Sequence, residues 1–226
     1  MAIHLFRDTF KKRGPLFLLV LGFALGIISS YVAAILYDRL TQPKLVVFAG
    51  AGRDQGGGVG GEPLHEFYHL IVRNESAHWP VSGRKPAWDC AASIEVVDKR
   101  GQRVLPEAIN GRWASQPQPI MPVSTSAPGT GAIDFGRLVL ARKINVHSHD
   151  DQSLSVALKY EGSPDCYLFS NESYLFDGWQ NPSWNLGPGS HRLRITLHYE
   201  RPAKPLYFWL HNTGLGRGDL RLEAEQ

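Results

Sequence analysis

The sequence predicts a mainly β protein carried behind one N-terminal transmembrane helix. Three observations predict it: an uncharged, apolar run from Pro15 to Tyr37, a series of short alternating strands behind it, and no long amphipathic helix in the remainder. An α-helix rises about 1.5 Å per residue and a bilayer core is about 30 Å thick, so about 20 apolar residues cross it. Only the run 15–37 is long enough. The expected organisation is a basic cytoplasmic tail at 1–14, a transmembrane helix at 15–37, a linker at 38–43 and a β-sandwich domain at 44–226.

Charge orients the span. The chain carries a formal net charge of +3, and the tail alone (Arg7, Lys11, Lys12 and Arg13 against Asp8) supplies all of it. The remainder is neutral and has no dense Lys/Arg stripe, which argues against a nucleic-acid partner. Basic residues beside a span stay on the cytoplasmic side. The expectation is a single-pass protein with its N-terminus inside and its C-terminal domain extracytoplasmic. A cleaved signal peptide is the rival, with Val32-Ala33-Ala34 as the site; the apolar stretch continues past it through Ile35-Leu36-Tyr37. Gly22, Gly26, Ser30 and Ala34 recur every fourth residue, a small-residue face suited to helix packing and a homo-oligomer.

Behind the span, Leu45-Val46-Val47-Phe48 and Phe67 to Val72 read as strands on either side of a glycine-rich stretch, Gly50 to Gly61. Cys90 to Asp98 alternates, turns at Lys99-Arg100-Gly101-Gln102 and resumes at Arg103-Val104-Leu105, a hairpin pattern. Pro117, Pro119, Pro122 and Pro128 mark a connection. Ile133 to Val146 and Leu154 to Tyr160 are rich in alternating Val, Leu and Ile. In His191 to Tyr199, the residues Leu193, Ile195, Leu197 and Tyr199 share one face, and Arg192, Arg194, Thr196 and His198 share the other. Leu206 to His211 is its expected partner.

The stretch Leu186-Gly187-Pro188-Gly189-Ser190-His191-Arg192-Leu193-Arg194-Ile195 resembles the penultimate strand of immunoglobulin-like modules. Phe67 to Asn74, Trp88-Asp89-Cys90-Ala91-Ala92 and Gly111-Arg112-Trp113-Ala114 are similar to segments of small uncharacterised prokaryotic proteins that pair a membrane helix with an immunoglobulin-like sandwich. The resemblance implies a fold and no activity. The long connections 106–132 and 161–182 depart from a minimal sandwich.

His65-Glu66-Phe67-Tyr68-His69 fits HExxH, in which a helix brings both imidazoles to one zinc ion. The flanking Leu70-Ile71-Val72 and Pro63 predict a strand instead, with positions four apart separated by about 13 Å. His147 and His149, followed by Asp150-Asp151, could share a metal from one strand face or form a polar turn. The glycine run lacks the Gly-Lys-Ser/Thr of a phosphate loop. Trp179, Trp184 and Tyr174 lie in a loop-like stretch where exposed rings could meet a protein or glycan, although large aromatics also serve as core. Cys90 and Cys166 can form a disulfide in an oxidising compartment or remain buried thiols. Asn74 and Asn171 match the glycosylation pattern. No catalytic residue and no cofactor is expected. The function expected is a membrane-tethered, non-enzymatic recognition or assembly module. The alternatives are a zinc hydrolase built on His65, Glu66 and His69, and a small structural subunit of a membrane complex.

Overall fold

The computed structural model describes residues 2–50, 55–56, 64–77, 83–122, 131–140, 142–200 and 204–225. Trp79, most of the glycine-rich stretch and the segment with Pro128 lie outside the described residues. The chain divides into two compact units, 1–42 with 77–84, and 43–76 with 85–226.

In the first unit a single helix, α1, covers Ala2–Thr41. Its apolar part, Leu16–Thr41, has 26 residues and is exposed along its length up to the buried Thr41. At about 1.5 Å per residue it is about 39 Å long, enough to cross a membrane. The helix therefore runs beyond the expected 15–37, and residues 38–41 of the expected linker are helical. Nothing in Asp38-Arg39-Leu40-Thr41 breaks a helix, and Thr41 Oγ1 donates to the Tyr37 carbonyl at 2.9 Å. Arg84 Nη1 donates to the carbonyls of Leu40 and Gln42, at 3.3 and 3.0 Å.

The second unit is built of strands. In chain order they begin with β1 (Leu45–Ala49), β2 (Gln55–Gly56), β3 (His65–Asn74), β4 (Ala87–Val97), β5 (Ile109–Asn110) and β6 (Arg112–Trp113). Next come β7 (Ile120–Pro122), β8 (Gly131–Ile133), the short helix α2 (Phe135–Leu140), β9 (Ile144–Val146), β10 (Asp151–Tyr160) and β11 (Cys166–Leu168). Three 3₁₀ turns between Asn171 and Trp184 lead to β12 (Asn185–Leu186), β13 (Gly189–His198), β14 (Leu206–Asn212) and β15 (Arg221–Ala224). Among the described residues they form two large antiparallel sheets and a small one in which β7 pairs with β8. One large sheet has the order β1-β3-β10-β11-β12, with β2 on β3 and β6 on β10; the other has the order β15-β14-β13-β4-β5, with β9 on β4.

Both large sheets line one core. Tyr68, Leu70, Val72 and Leu154 from the first meet Ile94, Val96, Leu193, Ile195, Phe208 and Leu210 from the second. Alternation explains these choices: the even residues of β3 and β4 and the odd residues of β13 point inward. The chain passes between the sheets at Gly111, with β5 before it and β6 after it. A Cβ there would lie 2.7 Å from Leu154 Cδ1 and 2.8 Å from Ala92 Cβ, so only glycine fits. Trp113, fully buried, follows at once and donates Nε1–H to the Arg142 carbonyl at 3.3 Å.

Two local features depart from the sequence pattern. The run 133–146 is not one strand: Asp134 caps α2, accepting from Arg137 N at 3.2 Å through its carboxylate and from Leu138 N at 3.1 Å through its carbonyl. A bulge at Val156 inserts one extra residue into β10 against β3, between the pairs Ser155–His69 and Ala157–Tyr68. Because the side-chain period is two, that residue reverses every side chain after it. Leu158 and Tyr160 turn to the outer face, and Lys159 turns inward opposite Glu66.

Candidate functional site

On the outer face of the first sheet an aromatic cluster forms under the 3₁₀ turns. Leu158, Tyr160, Phe169 and Tyr174 are buried, with Phe67, Ile120, Ile133 and Trp179 packed on them. The HExxH residues lie on β3 beneath it. The Phe67 ring stands between the two imidazoles, 5.3 Å from His65 and 6.3 Å from His69. His65 also meets Trp179 at 5.1 Å and Tyr160 at 5.5 Å. The helical turn that lets one metal take both histidines is not formed here. Glu66, one residue on, faces the opposite side of the sheet, toward the main core.

The other predicted residues are placed as follows. Tyr174 is buried, and its hydroxyl is pushed above its ordinary value by burial while the neighbouring Arg112 opposes the shift. Trp179 is half-buried on Tyr174, 5.4 Å between rings, and holds a left-handed backbone with φ 59°. That conformation costs a non-glycine residue about 1–2 kcal/mol, offset here by four ring contacts. Trp184 packs against the main core. The outward apolar residues of this loop are instead Leu175 and Phe176, 49% and 37% exposed. Beside them, α2 buries Leu138 and turns Phe135 and Val139 out, 68% and 62% exposed. Asn171 Nδ2 donates to the Leu138 carbonyl at 3.3 Å, and Arg142 pairs with Glu172, so the two segments adjoin.

His147 and His149 are exposed in the turn between β9 and β10. His147 meets the Trp88 ring edge-on at 5.9 Å, and His149 (φ 73°) shares a 2.9 Å hydrogen bond with Ser76 Oγ. No group of three or more His, Cys, Asp and Glu is arranged to hold a metal among the described residues. Cys90 and Cys166 are separate, buried thiols, and burial pushes each up to about 12. Asn74 and Asn171 are buried as well; Asn74 Nδ2 donates to the carbonyls of Lys85 at 2.9 Å and Val146 at 3.3 Å. Neither asparagine is open to glycosylation in this fold.

One constellation escaped the sequence. At one end of the main core, Lys159 is 0% exposed, Glu66 and Asn212 2% each. Lys159 Nζ donates to Asn212 Oδ1 at 2.5 Å and to the Pro164 carbonyl at 3.2 Å, and pairs with Asp219 Oδ1 at 3.3 Å. Although burial pushes the Asp219 carboxyl up, hydrogen bonds from Thr213 and from the Leu215 and Gly216 amides hold it below the ordinary carboxylate range. A signal existed: Lys159 interrupts the apolar Val156-Ala157-Leu158, and Asn212 follows Phe208 and Leu210 on the inward parity of β14. The bulge that turns Lys159 inward has no such signature.

No protein-family model, no curated protein and no solved structure matches this chain.

Proposed function

We propose that the chain is a membrane-tethered, non-enzymatic recognition module whose β body meets a partner protein through the α2 and 171–176 segments. The observation that carries it is the outward display of Phe135, Val139, Leu175 and Phe176 on those adjoining segments. Large apolar side chains turned to water on a polar-coated body favour contact with a protein surface. The glycan alternative has less support, because Tyr174 is buried and Trp179 and Trp184 each pack against a core cluster. Leu16–Thr41 supplies the tether, and the tail Arg7, Lys11, Lys12 and Arg13 favours a cytoplasmic N-terminus and an extracytoplasmic body. The finer reading of the body is an immunoglobulin-like sandwich; support comes from two antiparallel sheets sharing one core, with Trp113 buried where the chain crosses between them.

Two measurements test this reading. Alkaline carbonate washing of membranes should leave the intact chain in the pellet, and its release would remove the tether. A photo-crosslinker at position 176 of the full chain in native membranes should give one discrete protein adduct, lost in Val139→Asp; a chain without an adduct would remove the recognition surface.

A second reading, a small structural subunit, is favoured by one feature of α1. A Cβ at Gly22 or Gly26 would meet nothing within 4 Å, so this side of the helix is open to another helix. Gly22→Leu with Gly26→Leu should then dissociate a detergent-stable complex.

A further inference from the structure

We propose that Lys159 and Asn212 join in an intramolecular isopeptide bond that the folded chain forms by itself, with Asp219 carrying the proton. Three groups needed for such a reaction meet at one end of the core, where Lys159 and Asn212 are buried and the Asp219 side chain is 16% exposed. Nζ lies 2.5 Å from Asn212 Oδ1, and a C=O bond is about 1.23 Å, so Nζ is at most about 3.7 Å from the carbonyl carbon Cγ. That is close to the separation of a near-attack geometry. The carboxamide is held from both ends. Its Nδ2 donates to the Pro164 carbonyl at 2.9 Å and the Leu186 carbonyl at 3.3 Å. Its Oδ1 also accepts from the Gly214 amide at 3.1 Å, a donor placed where negative charge would grow on that oxygen. Gly214 adopts φ +79°, and a Cβ there would fall 2.9 Å from Pro188 Cγ, so the turn that aims this amide needs glycine.

Asp219 completes the set. Its Oδ2 accepts from Thr213 Oγ1 and from Leu215 N, the latter at 2.8 Å. Its Oδ1 is buried, accepts no hydrogen bond among the described residues and faces Nζ at 3.3 Å. The step balances without a co-reactant. Oδ1 takes a proton from the Lys159 ammonium, and the freed lone pair attacks Cγ. The proton passes to Nδ2 as the tetrahedral carbon collapses. The Nζ–Cγ bond forms, the Cγ–Nδ2 bond breaks, and ammonia leaves, carrying the surplus proton as ammonium. The product ties β10 of the first sheet to the end of β14 in the second through a covalent bond.

Peptide mapping of the full chain, purified in detergent, tests this. The expected result is a branched tryptic species joining the Lys159 and Asn212 peptides, lighter than their sum by about 17 Da, the mass of ammonia, and uncleaved after Lys159. Lys159→Met and Asn212→Leu should each restore the two separate peptides. Asp219→Asn should slow bond formation by about 10²-fold or more, the usual worth of a positioned acid–base group. Two unlinked peptides of full mass in the natural chain would overturn the proposal, whatever the variants do. So would the same mass loss confined to the Asn212 peptide, which marks a succinimide and leaves Lys159 open to trypsin. A bond formed at an unchanged rate in Asp219→Asn would overturn the part given to the carboxylate.

Discussion

Replacing Glu95 by glutamine removes one negative charge and almost no volume. Glu95 sits on β4 opposite Arg194 of β13, and its side chain is 8% exposed. Oε2 accepts from Arg194 Nε at 2.6 Å, while Oε1 accepts from Arg103 Nε at 2.8 Å and Nη2 at 2.5 Å. A hydrogen bond to a charged group contributes about 1.5–3 kcal/mol where water is excluded. The Arg103 and Arg194 side chains are 42% and 27% exposed, so solvent screening reduces that. The expected loss is about 1–2 kcal/mol near neutral pH, or about 2–8 °C in Tm for a domain of this size. The acid dependence has a definite sign. The Arg194 hydrogen bond, aided by Arg103 and opposed by burial, holds the Glu95 carboxyl below its ordinary value of 4.5. Its contribution is therefore complete above the unfolded value and is lost as pH falls through the folded one. Thermal unfolding of the full chain in detergent, followed by tryptophan fluorescence, should show the gap between natural chain and Glu95→Gln begin to close as pH falls past 4.5 and vanish only below the lower, folded-state value. Equal Tm near neutrality, or an undiminished gap in acid, would refute the reasoning.

Three further outcomes follow from the same geometry. Gly111→Ala should cost about 1–3 kcal/mol, because the added methyl overlaps Leu154 and Ala92 at the crossing between sheets; chemical denaturation checks it. Cys90 and Cys166 should resist maleimide in the native chain at neutral pH and react fully after denaturation, since both are buried thiols with values pushed up to about 12. Rapid native labelling would contradict that burial. The double variant His65→Ala, His69→Ala should hold the same zinc content as the natural chain by elemental analysis, because Phe67 stands between the two imidazoles. Stoichiometric zinc lost in the variant would contradict it.

Much of the strand framework was legible. The stretches 45–48, 67–72 and 206–211 fall on β1, β3 and β14, the stretch 90–98 overlaps β4 and ends one residue past it, and the parity of 193–197 holds along β13. Local rules suffice there, because one face is buried and turn residues bound each run. The stretch 133–146 misled for a local reason: its apolar composition suits strand or helix, and Asp134 decides by capping α2. The aromatics misled for a tertiary one. A tryptophan in a loop reads as surface until the turns fold back over the sheet, as Trp179 does over His65 and Phe67. The display of Phe135 and Val139 was equally hidden, since which side of a short helix meets the body depends on what Leu138 finds beneath it.

The order of residues alone determined the long apolar helix, the β character of the remainder and the mismatch between HExxH and its flanks. Each is a matter of period and composition over neighbouring residues. Tertiary structure decided what lies at the inner end of β10. One extra residue at Val156 reverses the strand, carries Lys159 into the core and leaves it facing Asn212 and Asp219, which arrive from the far end of the chain. A strand's parity is set by the partner it pairs with, and that partner is not written in the strand itself.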